Sequence, residues 1–299
     1  MIGKNKYKVA NVNGHKIFYS ESKNKEKKKH VLFIHGIGAS LVGWRDIPDA
    51  LSEHFHTISV DLIGFGASDK PTTADYSIKG FSKFIFDFLQ TIDVKDEKIC
   101  IVGHSLGGYI ALQFAFENKD LVEELVLVDP SGKLDGPTPL LSAYRDAANE
   151  PIPILKYEKL KKVFESMYSL SSALLPLVVG IFLDTIEKPG ALYAFNYAFD
   201  DSTGKAIGSD RLKVIEDVPC LIIWGANDNW ISPKEYAEKF LQDLPNSHLE
   251  IIPDAGHAPF IEKTAIVYER IRAFLTYDRV DSAFRALHDR KARKFYHHS

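Results

Sequence analysis

The chain has 299 residues, is 45% hydrophobic and carries a formal net charge of −3. That length is enough to bury one large core or two smaller ones, and the near-neutral charge gives no electrostatic footprint for a nucleic-acid partner. Its two cysteines, Cys100 and Cys220, both fall in apolar runs typical of strands, so no disulfide is expected and a reducing compartment is the natural setting.

The opening residues Met1–Lys6 lack an apolar signal region, which points to the cytoplasm. Tyr7–Val12 and His15–Ser20 read as a hairpin around Asn13-Gly14, and Lys23–Lys29 as a solvated basic loop. The strand Val31–Ile34 runs into the glycine-bearing loop His35-Gly36-Ile37-Gly38-Ala39-Ser40. A strand at Thr57–Asp61, a helix over Ile78–Ile92, a strand before Gly103, a helix from Tyr109 to about Glu117 and a strand at Leu125–Asp129 follow. Strands alternating with helices favour an α/β fold over α+β.

From about Asp135 to Ser209 the alternation stops, and a helical insertion rich in Leu, Phe and Tyr takes its place. An insertion that joins no sheet yet carries so many apolar groups must cover something, and is read as a cap over the site. Within it Ser166–Leu183 has no charge, but four serines, Pro176 and Gly180 favour a bent cap helix over a membrane span. The core is expected at residues 1–134 and 210–277, the cap at 135–209 and a C-terminal extension at 278–299. There Val280, Phe284 and Leu287 fall at helical spacing. That short amphipathic helix leaves open docking on its own domain, a homodimer, or contact with an anionic membrane.

The chemistry is carried by Gly103-His104-Ser105-Leu106-Gly107, where an apolar strand turns abruptly into a helix. A serine between two glycines in that setting is forced to the tip of a tight turn, and the following helix aims its N–H groups at any anion formed there. Ser105 is therefore the candidate nucleophile. Its base is expected to be His257, in the Pro/Asp/Gly loop after the strand ending at Ile252. The acid is expected to be Asp228, just past the strand Pro219–Gly225, with Asp129 as its rival. Backbone N–H groups of Leu106 and Ile37 are the expected oxyanion donors, each worth about 3–4 kcal/mol in a site of this kind. His15, His30, His54, His56 and His248 read as solvated or locally bonded, and His104 as packing beside the nucleophile. Neither Gly-Lys-Ser/Thr nor G-x-G-x-x-G follows the first loop, so a phosphate site is not indicated.

His35-Gly36, the turn Asp61-Leu-Ile-Gly-Phe-Gly-Ala-Ser-Asp69, Gly103–Gly108, Trp224-Gly-Ala-Asn-Asp228 and Gly256-His257 together resemble the α/β-hydrolase superfamily over about residues 8–275. The resemblance implies a mostly parallel eight-stranded sheet with helices on both faces, a Ser-His-Asp site at its carboxyl edge, and neither metal nor organic cofactor. Ser105 departs from the elbow aspartate of epoxide hydrolases and haloalkane dehalogenases of that superfamily. Ala258, after His257, and Ala226-Asn227, before Asp228, depart from the tryptophan and arginine common in its carbon–carbon bond hydrolases. The glycine-rich proline motif of proline iminopeptidases is absent after His35-Gly36. The expectation is a carboxylesterase-like serine hydrolase acting on a small molecule with an apolar part, without stable membrane insertion. Carbon–carbon bond hydrolysis of ring-fission products and a slow-turnover ligand receptor are the alternatives.

Overall fold

The computed structural model describes residues 5–23, 25, 29–94, 97–168 and 175–276. Most of the Lys23–Lys29 loop and the whole 278–299 extension lie outside the described residues. An eight-stranded sheet runs in the order β1-β2-β4-β3-β5-β6-β7-β8. Its strands are β1 (Lys6–Val12), β2 (His15–Glu21), β3 (His30–Ile34), β4 (His56–Val60), β5 (Ile99–His104), β6 (Val122–Val128), β7 (Cys220–Gly225) and β8 (Ser247–Ile252). β1–β2 and β2–β4 are antiparallel and every other pairing is parallel. The hairpin closes as the sequence predicts, with positive φ at both Asn13 and Gly14, the conformation of a two-residue type I′ turn.

The inner strands are buried on both faces, which is why they read as continuous apolar runs. Alternate residues nevertheless belong to different layers. Leu32, Ile34, Ile101, Leu125, Leu127 and Ile222 pack with α2 (Ile78–Thr91) and α3 (Leu106–Glu117), whereas Val31, Phe33, Val102, Val126 and Ile223 pack with α1 (Asp46–Leu51), α10 (Pro259–Glu262) and α11 (Thr264–Thr276). α2 is amphipathic, with Ile78, Phe81, Ile85, Phe88 and Leu89 inward, and Ser77 Oγ caps it by accepting from Gly80 N–H at 3.0 Å. α3 is buried on almost every side, as a helix sandwiched between sheet and neighbours must be. It starts at Leu106, three residues earlier than its apolar periodicity suggests, because Ser105 itself occupies the cap position.

Between β6 and β7 stand α4 (Pro139–Asn149), α5 (Pro153–Met167), α6 (Leu175–Ile186) and α7 (Ala191–Gly204), followed by α8 (Ser209–Lys213); α9 (Pro233–Asp243) separates β7 from β8. α4 to α7 meet around Tyr144, whose ring lies 5.2–5.7 Å from those of Phe164, Phe182 and Phe195. α7 is tied to the sheet layer by Asp201 Oδ2, which accepts from Ile78 N–H at the start of α2 at 2.7 Å. The bent cap helix expected over Ser166–Leu183 is interrupted: α5 ends at Met167 and Tyr168 is extended, while α6 spans Leu175–Ile186 and residues 169–174 lie outside the described residues. No helix of the described residues is long and apolar enough to cross a membrane.

Candidate active site

Ser105 sits at the carboxyl end of β5 with φ 50° and ψ −115°, a strained combination for a residue with a β-carbon. The surroundings impose it. Ser105 N–H donates to Val128 O at 3.0 Å, and Ser105 O accepts from Gly108 N–H at 3.0 Å, Ser131 N–H at 3.1 Å and the Ser131 hydroxyl at 3.1 Å. The flanking glycines permit the turn by closeness: a β-carbon on Gly103 would lie 2.3 Å from Gly107 O, and one on Gly107 would lie 2.4 Å from Ile34 O. Leu106 is the first residue of α3, so its N–H is among those a helix start leaves without an intrahelical acceptor.

The His35–Ser40 loop leaves β3 beside this turn. A β-carbon on Gly36 would come within 3.3 Å of Ser105 Cβ, which puts Ile37 next to the elbow. The loop is held from behind. His35 Nε2 accepts from Leu62 N–H at 3.1 Å, so its Nδ1 carries the proton and donates to Gly36 O at 2.8 Å; burial keeps this imidazole below its usual pKa and hence neutral. Asp61 accepts from Leu41 N–H and Ala67 N–H, each at 2.7 Å, and fixes both flanking turns.

His257 and Asp228 meet as the sequence predicts. His257 Nδ1 lies 2.7 Å from Asp228 Oδ2, a contact that places the ring proton on Nδ1 and leaves Nε2 as the acceptor. Asp228 is itself fixed: Oδ1 accepts from Trp230 N–H at 2.8 Å and Ile231 N–H at 3.0 Å, and Oδ2 accepts from Trp224 Nε1–H at 3.2 Å. Five features the sequence reading did not single out surround the histidine, three on His257 or its flanking residues and two on the rings next to it. His257 N–H donates to Met167 O at 2.9 Å. Glu262 Oε1 accepts from Gly256 N–H at 3.0 Å and Ala258 N–H at 3.4 Å, one on each side of His257. The Trp230 ring stacks on His257 with centroids 5.6 Å apart. Phe260 packs 4.7 Å from the His104 ring, and Tyr144 lies 5.0 Å from Trp230. Glu262 carries a spacing signal, five residues past His257 and facing back over the first turn of α10; the others carry none.

His104 holds the histidine loop to the elbow. Its Nε2 lies 2.7 Å from His257 O, and the two rings are 5.0 Å apart. Burial and the neighbouring His257 depress its pKa well below the usual value, so it is a neutral donor to that carbonyl. The His257 side chain is hydrogen-bonded to Asp228 and not to the Ser105 hydroxyl; hydrogen bonds of this kind tighten when substrate binds. Asp129, the rival acid, does not bond His257: its Oδ1 accepts from Gly225 N–H at 2.9 Å. Asp129, Asp228 and His257 do form a buried cluster whose polar atoms lie within 4.8 Å of one another. Those of Asp228 and His257 are spent on each other and on backbone donors, which makes it a hydrogen-bonded unit and not a ligand set.

A groove of about 410 Å³ opens beside this assembly, bounded by Ile37 and Gly38 on one side and by Phe164, Val178, Ile181 and Phe182 of the inserted helices on the other. The inserted helices press on the loop directly: a β-carbon on Gly38 would meet the Tyr144 hydroxyl at 2.3 Å.

Known proteins share features of this chain. An uncharacterized protein of Mycobacterium tuberculosis is 32% identical over 259 residues, covering 82% of this chain and 74% of that protein. Lipase 1 of Psychrobacter immobilis is 28% identical, covering 89% and 83%. The structure of the 2-hydroxy-6-oxo-6-phenylhexa-2,4-dienoate hydrolase of Rhodococcus superposes with a TM-score of 0.80 at 19% identity, over 92% of this chain and all of that one, a likeness of fold. The alpha/beta hydrolase family matches residues 31–270, from the strand that feeds the His35 loop to the helix behind His257, and this chain belongs to that family.

Proposed function

We propose that the protein is a serine hydrolase that cleaves a carboxylic ester, or a similarly activated acyl compound, with an apolar moiety. The observation that carries the proposal is the 2.7 Å contact between His257 Nδ1 and Asp228, on a loop that His104 ties to the strained Ser105 elbow. Asp228 fixes the tautomer, so His257 Nε2 takes the Ser105 proton as the oxygen attacks the carbonyl. The N–H groups of Leu106 and Ile37 receive the oxyanion. His257 then returns the proton to the departing alcohol, leaving an acyl-enzyme on Ser105, and activates the water that releases it. This route needs no metal or organic cofactor.

The inserted helices act as a cap, and the apolar groove between them and Ile37 takes the acyl or alcohol chain. Two buried free cysteines suit a reducing, cytoplasmic setting. A 2-hydroxy-6-oxo-6-(2'-aminophenyl)hexa-2,4-dienoic acid hydrolase of Metapseudomonas resinovorans is 29% identical over 255 residues, but Ala258 and Asn227 do not supply the tryptophan and arginine expected of that chemistry, so ester hydrolysis is the reading preferred. Activity on p-nitrophenyl esters of graded acyl length tests it. Turnover that rises with chain length and disappears in Ser105→Ala is expected. Tight ligand binding without turnover, unaffected by Ser105→Ala, would identify a receptor instead.

A further inference from the structure

The mechanism above leaves one buried acid unused. Asp129 follows β6 with φ 44° and is fully buried. Its Oδ1 is taken by Gly225 N–H, whereas its Oδ2 has neither a donor nor solvent. The groups facing it are Asp228 from the loop after β7, His257 from the loop after β8 and Glu262 from α10. Among the described residues no lysine or arginine pairs with either aspartate.

Two buried carboxylates this close, with no lysine or arginine paired to either among the described residues, repel each other if both are ionised. A carboxylic acid at Asp129 removes the repulsion and the orphaned oxygen together, because its O–H has Asp228 as acceptor. Asp228 is the member that stays ionised, since Trp224 Nε1–H, two backbone N–H groups and His257 already donate to it. Burial and the Asp228 charge push the Asp129 pKa well above the ordinary carboxylate value.

We propose that Asp129 is a positioning residue of this site: it keeps a proton on Oδ2 and donates it to Asp228, so that two carboxyls share one negative charge beside His257. The donated hydrogen bond adds a side-chain donor to those that already hold the Asp228 carboxylate. It also draws charge away from the Asp228–His257 contact, which lowers the basicity of His257. The inference deepens the hydrolase reading, and its kinetic part rests on that reading.

Infrared difference spectra of the substrate-free protein near pH 7, wild type minus Asp129→Asn, test the proton without any turnover. A protonated-carboxyl C=O band in the wild type that vanishes in the variant is expected. An ionised carboxylate at Asp129, or a band that persists in the variant, overturns the proposal whatever the enzyme cleaves. Ester kinetics test the positioning role. Asp129→Asn still donates to Asp228 and should keep kcat within roughly fivefold; Asp129→Leu cannot, and should lower kcat at least tenfold at unchanged KM while moving the acid limb of kcat/KM to higher pH. Equal kcat and equal acid limbs in the two variants would assign Asp129 to packing alone. If Asp129→Leu does not fold, the infrared band and the Asp129→Asn pH profile still decide.

Discussion

Buried histidines and carboxylates cluster at both ends of the sheet, and the two clusters differ in what they leave unbonded. At the amino ends of β3 and β4, His30 Nδ1 meets His56 Nδ1 at 2.6 Å, His30 Nε2 meets Glu97 at 2.6 Å, and His56 Nε2 meets Glu21 at 2.9 Å. Lys8 pairs with the other oxygen of Glu21, and Lys25 with the oxygen that His56 meets. Every ring nitrogen there has a partner. At the carboxyl end, His257 spends Nδ1 on Asp228 and has no partner among the described residues at Nε2. A saturated network holds strands together; an unspent ring nitrogen is what the proposed proton transfer requires. His30 and His56 thus correct the expectation that they are solvated or locally bonded, since both are buried and their partners are 26 to 67 positions away.

Disabling the carboxyl-end cluster should abolish activity and spare the fold. Ester kcat is expected to fall by about 10⁴ or more in His257→Ala, and by about 10⁴ in Asp228→Asn, which offers the imidazole the wrong tautomeric partner, with thermal unfolding little changed. Comparable turnover by either variant would remove the basis for distinguishing the two ends. Disabling the amino-end cluster should do the reverse. Glu21→Gln leaves buried partners unpaired and should cost about 3 kcal/mol of stability, read by denaturant unfolding, while kcat of the folded protein holds.

The two ends also respond to pH with opposite sign. Burial alone would raise the Glu21 pKa, but hydrogen bonds from His56, Lys8 and Lys25 outweigh it and pull the carboxyl down to about 2. The stability it contributes is present above its unfolded value of about 4.5 and is lost as pH falls through about 2. Asp129 is raised instead. The folded state keeps a proton that the unfolded chain releases, so stability is lost as pH climbs from the ordinary carboxylate range toward the raised value. The stability gained by Asp129→Asn should therefore widen as pH rises from about 4 to 7, by up to about 1.4 kcal/mol for each unit between the two values; a constant difference would contradict the sign. The smallest expected effect is at the groove. Ile181→Asp should raise KM for long-chain esters about tenfold and leave short ones nearly untouched, the size of one lost apolar contact region.

What the sequence disclosed follows from how local each signal is. The Ser105 elbow is written in five consecutive residues, because the close approach of Gly103 to Gly107 is itself local. Asp228 is legible because it follows the continuous apolar run of β7, and His257 because it stands in the Pro/Asp/Gly loop that ends β8. Trp230, the Met167 carbonyl and the His30–His56 pair are not, because their partners come from other elements and no periodicity records them. Within Ser166–Leu183 the lack of charge marks neither the end of α5 at Met167 nor burial, since Leu177 and Ile181 are exposed.

The central claim is that Ser105 takes the acyl group. Rapid mixing with a p-nitrophenyl ester, acid quench and peptide mass spectrometry test it most directly. An acyl adduct on the peptide carrying Ser105 in the wild type, and none in Ser105→Ala, is the predicted result. An adduct confined to another residue, or ester turnover by Ser105→Ala at the wild-type rate, would contradict the account.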